Sequence, residues 1–155
     1  MIKILFICHG NICRSTMAEF LFRDLTRRRG LAERYHIESA ATSTEEIGNP
    51  VHYGTRQKLL EHGISQEEIA MKRARQMTKK DYDNFDYLIG MDQMNLRNML
   101  RILRSDPQNK VHLLLDYTDR PGNIADPWYT GNFEDTYRDV CEGCEGLLSF
   151  LQKIV

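Results

Sequence analysis

Apolar residues in this chain follow two rhythms. Short runs at "IKILFI" (2–7), "YHIESA" (35–40), "FDYLIGM" (85–91) and "KVHLLL" (110–115) have the length and content of strands. The first is apolar at nearly every position, as a strand covered on both faces should be. Between the runs the spacing changes to three and four. Met17, Phe20, Leu21 and Leu25 predict a helix over 15–29, which Gly30 can end. Further helices are expected over roughly 51–62, stopped by Gly63, and from Asp92 to about Leu103. The last begins near Asn132, a good N-cap, and carries the stripe Phe133, Tyr137, Val140, Cys141, Cys144, Leu147, Leu148 and Leu151. Strands alternating with helices predict one α/β domain over 1–155, its parallel sheet covered on both faces. Such sheets bind ligands beyond the carboxyl ends of their strands, where the strand order switches. Cys8 stands at the carboxyl end of the first strand.

With 155 residues the chain is long enough for one real core, and its formal net charge of −1 steers it toward neither nucleic acid nor anionic membranes. No apolar run approaches a membrane span, and "MIKILFI" is short for a signal peptide, so a cytoplasmic protein is expected. The four cysteines, Cys8, Cys13, Cys141 and Cys144, are expected as free thiols in that compartment. "CEGC" at 141–144 lacks histidines at ligand spacing, so it reads as small residues on a helix face rather than a zinc site. Neither a metal nor a cofactor is expected.

The chemistry concentrates in "CHGNICRS" at 8–15. A strand-to-helix loop turns successive backbone N–H groups into a concavity, and the helix N-terminus adds free donors and partial positive charge. Gly10 lets the backbone turn closely, and Asn11 tolerates a left-handed conformation while its amide ties the loop together. Arg14 offers a planar fork that matches two oxygens of a tetrahedral oxyanion. The same field stabilises a thiolate at Cys8, a nucleophile, and Ser15 can donate to that sulfur. With 14 arginines in the chain, an arginine six places after some cysteine arises by chance about one time in three, so the bare spacing decides little. The strand before it, the Gly-Asn pair inside it and the serine and helix after it make the context far rarer.

Displacing an alcohol from a phosphate ester also needs a proton donor for the leaving oxygen. Asp126 is distinctive because Pro127 stiffens its loop and the aromatic pair Trp128 and Tyr129 follows.

These residues resemble a known family. "ICHGNICRSTMAEF" resembles the signature loop of the low-molecular-weight protein tyrosine phosphatases, and "DPWY" resembles their general-acid loop. "SAATS", "RARQMT" and "FDYLIGMDQMN" match intermediate segments in the expected order. The resemblance implies a four-stranded parallel sheet with a phosphate-binding loop after its first strand. It implies Cys8 as nucleophile, Arg14 as phosphate clamp and Asp126 as acid, then base. Ser15 would stabilise the thiolate, and Asn11, Ser39 and Asp92 would support the loop. His9, Gly10, Asn11, Ile12, Cys13, Ser15, Glu45, Trp128 and Tyr129 would bind the substrate, and Cys13 would trap oxidised Cys8 as a disulfide. The implied substrate is a phosphotyrosine-containing protein or a small aryl phosphate, with inorganic phosphate as product.

Four positions depart from the family pattern. Thr16 replaces a usual proline, Lys72 a frequent histidine that supports the loop, Glu45 a frequent rim aromatic, and Trp128 a frequent tyrosine. Other readings stand beside the first. A protein-arginine phosphatase of the same family carries threonine where this chain has Ile12. Arsenate reductases share the loop but relay a disulfide through downstream cysteines, and none lies between Cys13 and Cys141. A phosphate sensor or phosphocysteine carrier has no use for an acid that speeds loss of its phosphate.

Overall fold

The computed structural model describes residues 1–154; the last residue of the expected domain span, Val155, lies outside the described residues. β1 (Ile2–Cys8) is covered on both faces, and from Ile4 to Ile7 every side chain is fully buried. Ile4, Phe6 and Cys8 turn into one core with Phe22 and Leu147, while Leu5 and Ile7 turn into another with Leu88 and Met99. This is the two-residue alternation of a strand, with both faces apolar. α1 (Arg14–Arg28) and β2 (Tyr35–Ala41) follow, then α2 (Tyr53–Glu61), α3 (Gln66–Ala70) and α4 (Lys80–Asn84). β3 (Tyr87–Gly90), α5 (Gln93–Leu103), β4 (Val111–Leu113), α6 (Pro127–Thr130) and α7 (Phe133–Lys153) complete the order.

The four strands are parallel in the order β2-β1-β3-β4. The chain leaves β1 for one side of the sheet and later returns on the other, so the switch in strand order lies between β1 and β3. Cys8 ends β1, and Asp92 follows β3 to cap α5, its carboxylate accepting from Asn95 N at 2.8 Å. Asn132 caps α7 through Asp135 N, as its sequence position predicts. Gly30, at φ 71°, closes α1 in the left-handed region.

Three short helices, α3, α4 and α6, were not expected. At four or five residues each they are too short to show an apolar period. The second helix begins at Tyr53 rather than 51, after His52 as cap. The strand expected over 110–115 ends at Leu113. There Asp116 Oδ2 accepts from Leu113 N at 3.1 Å and draws Leu114–Tyr117 into a 3-10 turn. Leu114 then lies beneath α7, where a Cβ on Gly143 would fall 2.4 Å from Leu114 Cγ. The glycine of "CEGC" thus permits close helix approach; Cys144 is buried and Cys141 half-buried on the same packed face.

Candidate active site

The loop between β1 and α1 closes around the Cys8 sulfur. Asn11 takes φ 60°, the left-handed turn its residue type tolerates, and so brings its own N–H to 3.3 Å from Cys8 Sγ. Ser15 N lies 3.4 Å from the same atom and Ser15 Oγ 3.0 Å. Cys13 precedes α1 without capping it through its side chain, and no acidic residue occupies the first turn. The helix start therefore keeps its free donors and partial positive charge for the cleft.

Behind the loop a polar relay fixes this geometry. Asn11 Nδ2 donates to Ser15 Oγ at 2.8 Å and to Ser39 Oγ at 2.9 Å, and Asn11 Oδ1 accepts from Arg75 N at 3.2 Å. Because Ser15 Oγ accepts from Asn11, its hydroxyl proton is free to point at sulfur. Ser39 in turn donates to Glu19 Oε1, while Arg23 Nη2 holds Glu19 Oε2 at 2.6 Å. Asn11, Ser15 and Ser39 are all buried, so each bond is made away from competing water. Lys72 Nζ donates to the Ser39 carbonyl at 2.8 Å and lies 3.5 Å from Glu19 Oε1, so the lysine reaches this loop support. Burial pulls the Lys72 ammonium below its ordinary range, and the Glu19 charge opposes that fall.

Arg14, the first residue of α1, is buried. Its Nη1 donates to Asp92 Oδ2 at 2.6 Å and to the Ile124 carbonyl at 2.9 Å; its Nη2 reaches Asp126 Oδ2 at 3.4 Å. Burial works against the guanidinium charge, but the charges at Cys8, Asp92 and Asp126 outweigh it and raise Arg14 above its usual value. Asp126 caps the one-turn helix α6, its Oδ1 accepting from Trp128 N at 3.0 Å. One carboxylate thus faces the guanidinium and also shapes the aromatic loop.

Together these residues line a cleft of about 100 Å³ whose walls are Cys8, His9, Gly10, Ile12, Cys13, Arg14, Glu45, Glu46, Asp126, Trp128 and Tyr129. Of the residues expected to bind substrate, His9, Gly10, Ile12, Cys13, Glu45, Trp128 and Tyr129 line the cleft, whereas Asn11 and Ser15 do not: their side chains are buried behind the loop, tied to Ser39 and to the Cys8 sulfur. Glu45 stands on the rim, where its Oε2 is 3.0 Å from His9 Nε2. Trp128 and Tyr129 are exposed at the mouth. Burial, then the charges of Cys8 and Asp126, push the Cys13 thiol up to about 12, against the Thr55 hydrogen bond and Arg14. Residues not foreseen from sequence are Glu19, Glu46 and the backbone acceptor at Ile124. A carbonyl carries no residue-type signal, and Glu19 is one acid among 22. A wider groove of about 960 Å³ beside Tyr117 and Phe150 brings together no thiol and clamp. Among the described residues no group of three or more His, Cys, Asp or Glu could hold a metal, and no helix is long and apolar enough to cross a membrane.

A family model described as low molecular weight phosphotyrosine protein phosphatase matches residues 3–155. The chain belongs to this family. Low molecular weight protein-tyrosine-phosphatase YfkJ of Bacillus subtilis is 41% identical over 99% of this chain and 97% of its own length. The crystal structure of YfkJ superposes with a TM-score of 0.93, covering 99% of this chain and 96% of that one. The low molecular weight phosphotyrosine protein phosphatase of Gallus gallus is 40% identical over 94% of this chain and 93% of its own. A Drosophila arginine phosphatase structure is 30% identical with a TM-score of 0.86, covering 96% and 97% of the two chains. Membership in the low molecular weight phosphatase family makes this chain a hydrolase and accords with its four-stranded parallel sheet.

Proposed function

We propose that this chain hydrolyses phosphotyrosine monoesters of proteins, or small aryl phosphates, through a phosphocysteine on Cys8. The Cys8 thiolate attacks phosphorus in line. The S–P bond forms as the bond to the phenolic oxygen breaks, and Asp126 gives its proton to that oxygen. Asp126 then takes a proton from water as the water attacks phosphorus. The S–P bond breaks, the thiolate returns and inorganic phosphate leaves. Arg14 and the loop N–H groups hold the equatorial oxygens in both steps, the electrostatic stabilisation on which phosphoryl transfer depends. Ser15 and the Asn11 N–H stabilise the leaving thiolate, and Ile12, Trp128 and Tyr129 wall the space for the aromatic ring.

One observation supports this reading most: Arg14 and Asp126 are in contact at 3.4 Å and line the same cleft as the Cys8 thiol, which is ringed by donors. The second reading, a protein-arginine phosphatase, draws support from the likeness to the Drosophila arginine phosphatase. Ile12 weighs against it, since its side chain gives a guanidinium no acceptor. The deciding experiment compares turnover of phosphotyrosine, phosphoserine and phosphoarginine peptides with EDTA present. Phosphotyrosine is the expected preference. A preference for phosphoarginine would install the second reading, and inertness toward both would remove the two together.

A further inference from the structure

The loop that holds Cys8 and the loop that holds Asp126 are far apart in the chain, and His52 touches both. Its backbone N–H donates to the Ile12 carbonyl at 2.9 Å. Its ring meets the Trp128 indole edge-on, with centroids 5.4 Å apart at 74°, and stacks on Phe133 at 5.3 Å and 12°. Its Nδ1 accepts from Gly54 N at 3.0 Å, which caps α2 and fixes the ring in place. Phe133 lies flat over Gly54, where a Cβ would meet ring atoms at 2.3–2.5 Å, and packs against the small cluster that contains Ile12 and Cys13.

Buried Ile124 and Pro127, and the Thr136 hydroxyl donating to the Ala125 carbonyl at 3.1 Å, anchor the base of the acid loop, whereas its aromatic pair stands out from the fold. Trp128 and Tyr129 are 57% and 82% exposed, and α6 is a single turn of four residues. Within that turn the Asp126 carboxylate is tied to Trp128 N, so a displaced Trp128 displaces the acid. We infer that His52 is a positioning residue whose ring, resting on Phe133, is the seat that holds Trp128 and thereby sets Asp126 over the phosphate loop. The inference rests on Asp126 acting as the acid. Edge-to-face aromatic contact supplies the geometry, and a small error in the placement of an acid is costly to rate.

Two substitutions separate the seat from the helix cap. His52→Asn keeps a capping oxygen and removes the ring; His52→Phe keeps a ring and removes the acceptor. Trp128 is the sole tryptophan, so indole emission and its quenching by acrylamide report the seat without reference to catalysis. Thermal unfolding and kcat/KM on phosphotyrosine and on a nitrophenyl phosphate complete the measurement. His52→Asn is expected to unfold near the wild-type temperature but to expose Trp128 to quencher. Its phosphotyrosine turnover should fall about tenfold more than its nitrophenyl phosphate turnover, a fraction of the ~10²–10⁴ a positioned acid supplies. His52→Phe is expected to keep wild-type emission and leaving-group response at a lower unfolding temperature. If His52→Asn leaves emission and leaving-group response unchanged, or His52→Phe disturbs them equally, His52 is a helix cap only and the inference falls. Asp126→Asn serves as control. If it shows no leaving-group dependence, the acid assignment fails, and the tryptophan readout still judges the seat.

Discussion

Asp92 does two things with one carboxylate: Oδ2 holds Arg14 Nη1 at 2.6 Å while Oδ1 caps α5 at Asn95 N, 2.8 Å away. The guanidinium is thereby aimed before any anion arrives, which spares binding the cost of ordering it.

The two tasks can be parted. Asp92→Ser keeps a capping hydroxyl but is too short to hold Arg14, so stability should stay near wild type while kcat/KM falls roughly tenfold or more. Asp92→Ala should show the same kinetic loss plus about 1 kcal/mol of stability. Urea unfolding alongside steady-state kinetics decides it, and full activity in Asp92→Ser would show that Arg14 needs no such guide.

Asp126→Ala should slow phosphotyrosine hydrolysis by on the order of 10²–10⁴. The loss should shrink for esters of acidic phenols, whose oxygens leave without a proton. Rates across a series of substituted phenyl phosphates give the slope, and a uniform loss would move the acid role to another group.

Cys13 should meet oxidised Cys8 slowly at neutral pH and faster in alkali. Its thiol is pushed up to about 12, burial first and the Cys8 charge next, so below that value the attacking thiolate is scarce and increases tenfold per pH unit. Converting Cys8 to a neutral sulfenic acid removes the second cause and eases the attack. Peroxide should therefore give a Cys8–Cys13 disulfide whose rate of formation climbs with pH, followed by mass spectrometry. Equal recovery from peroxide by Cys13→Ser would remove its protective role.

Ile12 lines the cleft, and its carbonyl is held by His52 N. Ile12→Thr keeps the bulk and adds a hydroxyl acceptor, so the phosphoarginine-to-phosphotyrosine ratio of kcat/KM should rise about tenfold if one charge-assisted hydrogen bond is gained. An unchanged ratio would put the choice of substrate elsewhere on the rim, around Glu45 and Trp128.

The parts of this molecule that were legible in the sequence are those where residue type and position act together. β1 was visible because burial on both faces demands an unbroken apolar run, and Asn132 because only a few side chains cap a helix well. Cys8, Arg14 and Asp126 stand out from their loops, and the fold brings the three to one cleft. What was hidden depends on tertiary contact. "KVHLLL" gave no sign that Asp116 would seize the Leu113 N–H and end the strand. Lys72 stood out as a departure, yet only the fold brings its amine to the Ser39 carbonyl. Nothing in the local sequence singles out His52, because the rings it meets lie about eighty positions further along the chain.

β1 is an interior strand, bonded to β2 and β3, with its side chains closed to solvent from Ile4 to Ile7. Amide hydrogens in such a strand exchange only when the whole molecule opens, whereas those of a one-turn helix with exposed aromatics exchange by local fraying. Cys8 and Asp126 thus belong to different depths of the native ensemble. Gentle warming or dilute denaturant would first produce molecules that are fully folded at the thiol and loosened at Asp126. In the proposed mechanism, activity would then fade well before the fold itself.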